Sequence, residues 1–254
     1  MAIDYAAKKP GWFSRLANPG QFLAWTTPFV WPLALITLLL FALGLYLALL
    51  DSPPDYQMGQ TVRIMYIHVP NAWLSEFIYA IMAVASIGTL VWRHPLADVV
   101  AKAAAPLGAT FTALALFSGS LWGRPTWGTY WQWDGRMTST LILFLIYLGI
   151  VALWRAFEDP ARAGRVIAVF TLVGALDIPV VKYSVDWWNT LHQPASISLM
   201  GSEHMPPSML VPLLVMTLAF TFLFLTLHLI RIRTEIRRRR LMTLERQAAA
   251  RLSA

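Results

Sequence analysis

The chain has 254 residues, 57% of them hydrophobic and 13% charged, with no cysteine and a formal net charge of +7; its mean hydropathy is +0.57. Soluble domains carry about 25% charged residues, so a soluble enzyme is excluded, a disordered chain likewise, and the missing thiols exclude disulfides, thiolate metal sites and covalent CxxCH attachment. Basic charge spread over a folded face would suggest nucleic acid, but here much of it lies between Arg231 and Arg251, directly after an apolar run, and the composition is that of an integral membrane protein.

A helix needs about 20 mostly apolar residues to cross the hydrocarbon core. In chain order, residues 29–50 carry no charge, and 72–92 are interrupted only by Glu76. Residues 99–122 hold Lys102 in their first turn, 137–154 follow, 164–182 contain Asp177, and 205–230 include His228. The expected fold is an all-α membrane protein of six transmembrane helices. It forms a single domain over 1–254, with a cytoplasmic or interfacial segment at 1–24 and a basic cytoplasmic tail at 232–254. An even count puts both termini on one side. Sixteen of the 20 Lys and Arg fall on that side and four, Arg63, Arg124, Arg136 and Lys182, on the other. Lys and Arg mark the cytoplasmic side, so both termini are expected in the cytoplasm. The first apolar run starts late and lacks a small-residue cleavage pattern, so it reads as a retained span. Before it, Trp12, Phe13, Leu16 and Trp25 stand among Lys and Arg, as an interfacial segment would. The Arg-rich tail reads as an anchor against anionic lipid or as a dock for a cytoplasmic partner.

Unusual composition lies in the three outer segments, 51–71, 123–136 and 183–204. Residues 122–136 hold four of the 12 tryptophans, together with Tyr130. An aromatic belt at headgroup depth explains one or two per helix end; a dense run spaced by Gly123, Gly128 and Gly135 also suits a flat apolar ligand approaching the backbone. If the stretch is helical, Trp127 and Trp131 share a face, with Tyr130 and Asp134 beside them. Composition leaves belt and platform open.

The histidines shift that balance. His94 and His228 lie inside, whereas His68 precedes the second span, His192 occupies the third outer segment, and His204 starts the last span. Two imidazoles from loops that flank an aromatic platform fit a macrocycle whose metal is ligated on both faces, and haem is the obvious candidate. Its propionates need cations, and Arg63, Arg124 and Arg136 are three of the four outer basic residues; the planar guanidinium pairs carboxylates bidentately.

Three motifs then carry a family resemblance: Val62-Arg-Ile-Met-Tyr-Ile-His-Val-Pro70, the stretch from Gly119 through Trp127-Gly-Thr-Tyr-Trp-Gln-Trp-Asp134 to Arg136, and Trp187-Trp-Asn-Thr-Leu-His-Gln193. The middle one is similar to the tryptophan-rich WWD signature of haem-handling proteins. Together, over roughly residues 25–233, they resemble the CcmC family (cytochrome c maturation protein C, or haem exporter protein C). The resemblance implies a bacterial inner-membrane protein that holds haem b, iron protoporphyrin IX, in periplasmic loops, with His68 and His192 as axial ligands and Trp122, Trp127, Trp131, Trp133 and Asp134 in the WWD surface. Tyr130 stands where many relatives place tryptophan. It also implies partners: the cassette subunits CcmA and CcmB, the single-span CcmD, and the haem chaperone CcmE as acceptor.

The chain has no P-loop, so ATP must be used by a partner, and it has no zincin or serine-hydrolase motif. Glu76 and Asp177 are ionisable groups in spans, where charge is costly; Glu76 is expected to accept from a histidine or cap a helix, and Asp177 to pair with Lys182. Asp134 is expected to orient the tryptophan loop, and His204 is the rival ligand. Two other classes remain: a haem lyase acting directly on apocytochrome c, for which more spans and a larger outer domain are expected, and a pore without bound haem.

Overall fold

The computed structural model describes residues 17–188, 190–192 and 205–252, and it is all-helical in those residues. Six helical stretches are long and apolar enough to cross a membrane. Helix α1 (Pro19–Thr26) starts where Asn18 accepts from the N–H groups of Gly20 and Gln21 at 2.9 and 3.1 Å, with proline at the first helical position. Such a start suits proline, whose missing N–H would be unpaired there anyway. A 3₁₀ turn, Thr27–Phe29, leads into α2 (Val30–Tyr46), which widens to a π turn over Leu47–Asp51. The first span therefore runs Pro19–Asp51, ten residues earlier than the apolar run alone indicates, and it absorbs the end of the expected 1–24 segment. Trp12, Phe13 and Leu16 lie outside the described residues.

A 3₁₀ turn, Gln60–Ile64, runs directly into α3 (Met65–Val91). This corrects the placing of His68: it lies in the first turn of a helix, not in a loop ahead of one. Helix α4 (Ala97–Trp127) likewise carries Trp122, Arg124 and Trp127 in its last turns. It ends at Gly128, whose φ of 78° is left-handed and whose N–H returns to the Arg124 carbonyl at 3.1 Å, an ending glycine adopts without steric cost. The expected tryptophan loop is thereby shortened to 128–134, and Trp131 does not continue the Trp127 helical face. Helix α5 (Gly135–Ala156) begins at Asp134, whose Oδ1 accepts from the Met137 N–H at 2.8 Å.

The fifth span is two helices, α6 (Pro160–Gly174) and α7 (Asp177–Trp187). Helix α8 (Pro207–Leu252) has 46 residues, about 69 Å at ~1.5 Å per residue, more than twice the ~30 Å hydrocarbon thickness. The basic tail expected from 232 is therefore a continuation of the last helix.

Helix α3 sits at the centre, packed on α4, α6 and α8. Small buried residues of α4, Ala101, Ala104, Ala105, Gly108 and Ala109, let the helix axes approach, the usual solution where lipid supplies no hydrophobic drive. The rings of Tyr79 and Tyr147 meet edge-on at 5.2 Å, while their hydroxyls donate to the carbonyls of Thr171 and Ser75 at 3.0 and 2.8 Å. Helix α2 lies against α8 through Gly44 opposite Met216, Phe41 edge-on to Phe220 at 5.0 Å, and the Thr37 and Thr226 hydroxyls at 3.1 Å. Its outward residues Trp31, Leu35, Leu38 and Leu39 are exposed, as suits a helix facing lipid. The start of α3, end of α4, start of α5 and end of α7 gather at one end of the bundle, where the candidate site lies.

Candidate functional site

His68 and His192, 124 positions apart in sequence, line one cavity of about 60 Å³ together with Glu76, Gly119, Arg136 and Thr140. The His68 ring lies against α4: its Nδ1 is 3.0 Å from the Ala115 carbonyl and 3.3 Å from Ser118 Oγ. A Cβ at position 119 would stand 2.8 Å from His68 Cε1, so glycine there is what admits the ring. His192 lies beyond the end of α7, with Nδ1 2.9 Å from Asp134 Oδ2. A carbonyl and a carboxylate can only accept, so each Nδ1 carries the proton and each Nε2 keeps its lone pair. Among the described residues neither Nε2 has a hydrogen-bond partner. Two imidazoles in this tautomer are the donor set that bis-histidine haem iron requires.

Asp134 joins the start of α5 to the segment that follows α7. Oδ1 caps α5, and Oδ2 accepts from both the His192 ring and the Thr190 hydroxyl. Thr190 Oγ1 in turn accepts from the His192 N–H at 3.1 Å. Burial pushes the Asp134 carboxyl up, but the Thr190 hydroxyl, the Met137 N–H and the His192 ring together bring it below its usual value. Burial holds the His192 imidazole below its ordinary value, with Arg136 acting in the same sense and Asp134 opposing both. The pair is thus a neutral imidazole donating to a carboxylate. Asp134 orients a ligand candidate and caps a helix, more than the loop-fixing role expected from sequence.

Each histidine is braced by one tryptophan from the end of α4. Trp122 stands edge-on to His68 at 5.8 Å and Trp127 edge-on to His192 at 4.7 Å. Trp131 and Trp133 form a separate edge-on pair at 5.3 Å. Tyr130 is exposed, with the Arg124 guanidinium 5.6 Å from its ring centroid. Among the described residues the indole N–H groups of Trp122 and Trp131 and the Nε of Arg63 are buried donors without a partner. Unpaired buried donors are costly unless something arrives to accept from them. The three arginines are held without carboxylates: Arg63 by the Ser52 carbonyl at 3.3 Å, Arg124 by the Gly128 carbonyl, and Arg136 by Ser184 Oγ and the Lys182 carbonyl at 3.2 and 3.1 Å. Among the described residues none of the three forms an ion pair. These residues fit an anionic, iron-bearing macrocycle in charge and donor type. A 60 Å³ cavity is smaller than the ~300–1,000 Å³ of ligand pockets, so as it stands it does not enclose a macrocycle.

Among the described residues Glu76 neither accepts from a histidine nor caps a helix; it lines the cavity below His68, on the same face of α3. The spacing 68, 72, 76 puts those residues in one helical row, a signal legible once residue 68 is placed in the helix. Asp177 forms no ion pair with Lys182; its Oδ2 is buried without a partner. His204 lies outside the described residues. Sequence reasoning missed the structural roles of Gly119, Ser118 and Thr190, which act through contacts to residues 50 or more positions away for the first two and 56 for Thr190. It also missed the exposed aromatic cluster of Tyr183, Trp187 and Trp188, in which Tyr183 stacks on Trp187 at 5.8 Å.

Residues 12–247 match the family model described as heme exporter protein C, CcmC. A heme exporter protein C of Bradyrhizobium diazoefficiens is 62% identical over 94% of this chain and 90% of its own length. That of Escherichia coli K12 is 43% identical over 85% and 86%, and that of Paracoccus denitrificans 48% identical over 76% and 80%. With this coverage of both partners, and with the three motifs meeting at one end of a six-span bundle, the chain belongs to the CcmC family of haem exporter proteins.

Proposed function

We propose that this protein holds haem b at the periplasmic surface of the bacterial inner membrane and delivers it to the chaperone CcmE. It acts there with CcmA, CcmB and CcmD, in c-type cytochrome biogenesis. His68 and His192 are the axial ligands. Trp122, Trp127, Tyr130, Trp131 and Trp133 form the aromatic surround, and Arg63, Arg124 and Arg136 face the propionates. Both termini lie in the cytoplasm, as the distribution of Lys and Arg supports. When bound, haem supplies an iron that takes imidazole on both faces and so leaves no open site for oxygen. The observation that carries this reading is the pair of histidines lining one cavity, each with Nδ1 engaged and Nε2 unpaired. Three arginines without an ion pair and two unpaired indole N–H groups among the described residues of the same end support it.

The test is the visible spectrum of detergent-purified protein beside His68→Ala and His192→Ala. A low-spin Soret band with split α and β bands on reduction is expected in the wild type, converted or lost in both variants. A colourless wild type made with ample haem overturns the reading, and a spectrum indifferent to both variants overturns the ligand assignment.

A further inference from the structure

The two histidines are held in different ways. His68 belongs to the first turn of α3, and α4 encloses its ring through the Ala115 carbonyl, Ser118, Gly119 and Trp122. Moving it means separating two helices packed along their length. His192 stands five positions beyond Trp187, outside any helix, with 21% of its side chain exposed. Among the described residues the hydrogen bonds that hold it run to side chains, Nδ1 to Asp134 and its N–H to Thr190, whose hydroxyl also ends on Asp134, and the Trp127 ring lies edge-on against it. Asp134 is anchored in turn by the Met137 N–H of α5. One buried carboxylate therefore fixes both the tautomer and the position of His192, an arrangement that commonly tunes metal-bound imidazoles.

Resting on the axial-ligand reading above, we propose that the two ligands are unequal: His68 is the fixed imidazole, His192 is the exchangeable one, and Asp134 is the positioning residue that governs the exchange. The cavity is too small for a macrocycle as it stands, and the wall that opens is the one held by side-chain hydrogen bonds. In the exchange the bond from iron to His192 Nε2 breaks, its electron pair stays on nitrogen, and an incoming Lewis base donates a pair to the same position. The iron keeps its oxidation state, and the Nδ1 proton stays between His192 and Asp134.

The experiment uses the haem-loaded, full-length ferric protein in detergent. Added imidazole should restore the low-spin spectrum of His192→Gly and leave His68→Gly unrestored, because the His68 position is enclosed by α4. Asp134→Asn keeps the cap on α5, since asparagine caps as well as aspartate, while its amide cannot both cap and accept from Nδ1–H as the carboxylate does. Its spectrum should stay low-spin, and cyanide should displace its exchangeable ligand about 10- to 100-fold faster than in the wild type. Imidazole rescue of His68→Gly, alone or equally with His192→Gly, overturns the inequality. Wild-type cyanide kinetics in Asp134→Asn overturn the positioning role, and this arm stands even where a glycine variant fails to accumulate. A colourless wild type would instead remove the ligand reading beneath the proposal, a result distinct from either.

Discussion

The two ends of the bundle treat their positive charges differently. At the end near the termini, some cations meet carboxylates: Lys102 pairs with Glu235 at 2.7 Å, and Arg239 with Asp98 at 2.7 Å and Glu235 at 3.0 Å. Arg233 of α8 is fixed onto α1 through the Leu23 carbonyl and the Thr26 and Thr27 hydroxyls. At the other end, among the described residues, Arg63, Arg124 and Arg136 meet carbonyls, a serine and the Tyr130 ring but no carboxylate within ion-pair distance, and the carboxylate paired there, Asp134, serves a neutral histidine. The matched pairs tie α4 to α8 and stabilise the fold, although Arg239 Nη2 and the Trp154 indole N–H at this end are also buried without a partner among the described residues. Unmatched cations beside unpaired indole donors cost folding free energy in isolation, so their presence points to an anionic guest.

Three substitutions break or sharpen this contrast. The largest effect is expected from Gly119→Leu, which drives side-chain atoms into the space of the His68 ring; overpacking of this kind costs about 1–3 kcal/mol. The displaced imidazole should lose most of the bound haem, read as the ratio of Soret to protein absorbance, while the protein remains in the membrane. Next is Glu235→Gln, which leaves Lys102 partly buried without its counter-charge. Glutamine's Oε1 can still accept from Lys102 but carries no charge, so about 1–3 kcal/mol is lost, and the thermal unfolding midpoint should fall while the haem spectrum stays as in the wild type. A changed spectrum would show that the two ends are not independent. The smallest is Trp122→Phe, which keeps a ring beside His68 and removes the unpaired N–H. If that donor serves the guest, haem affinity should fall by roughly five-fold, about 1 kcal/mol, in a titration with ferric haem; unchanged affinity would assign the indole to bracing alone.

Much of the architecture was legible in the chain. Six apolar runs gave six spans, because a membrane helix announces itself by length and hydropathy. The boundaries were less legible, since the amphipathic turns that carry function are too polar for a hydropathy window. His68, Arg124 and Trp127 thus read as loop residues while lying in helices. The break within the fifth span, at 175–176, had no proline or glycine placed to mark it with certainty, although Gly174 and Pro179 flank it.

The sequence by itself determined the solvent of this protein, its helical class and the residue types at the site, because each is a local property of composition and spacing. Only the tertiary structure decided which groups meet. It set Gly119 under His68, Asp134 behind His192, and one tryptophan of α4 against each imidazole. It also left Asp177 without the Lys182 partner that proximity in sequence suggested. Partnership across 50 to 60 positions follows from how helices cross, and the crossing follows from small residues and ring packing along α3 and α4. No local pattern records that geometry, and it is what encloses His68 between α3 and α4 while His192 is held through Asp134 and Thr190.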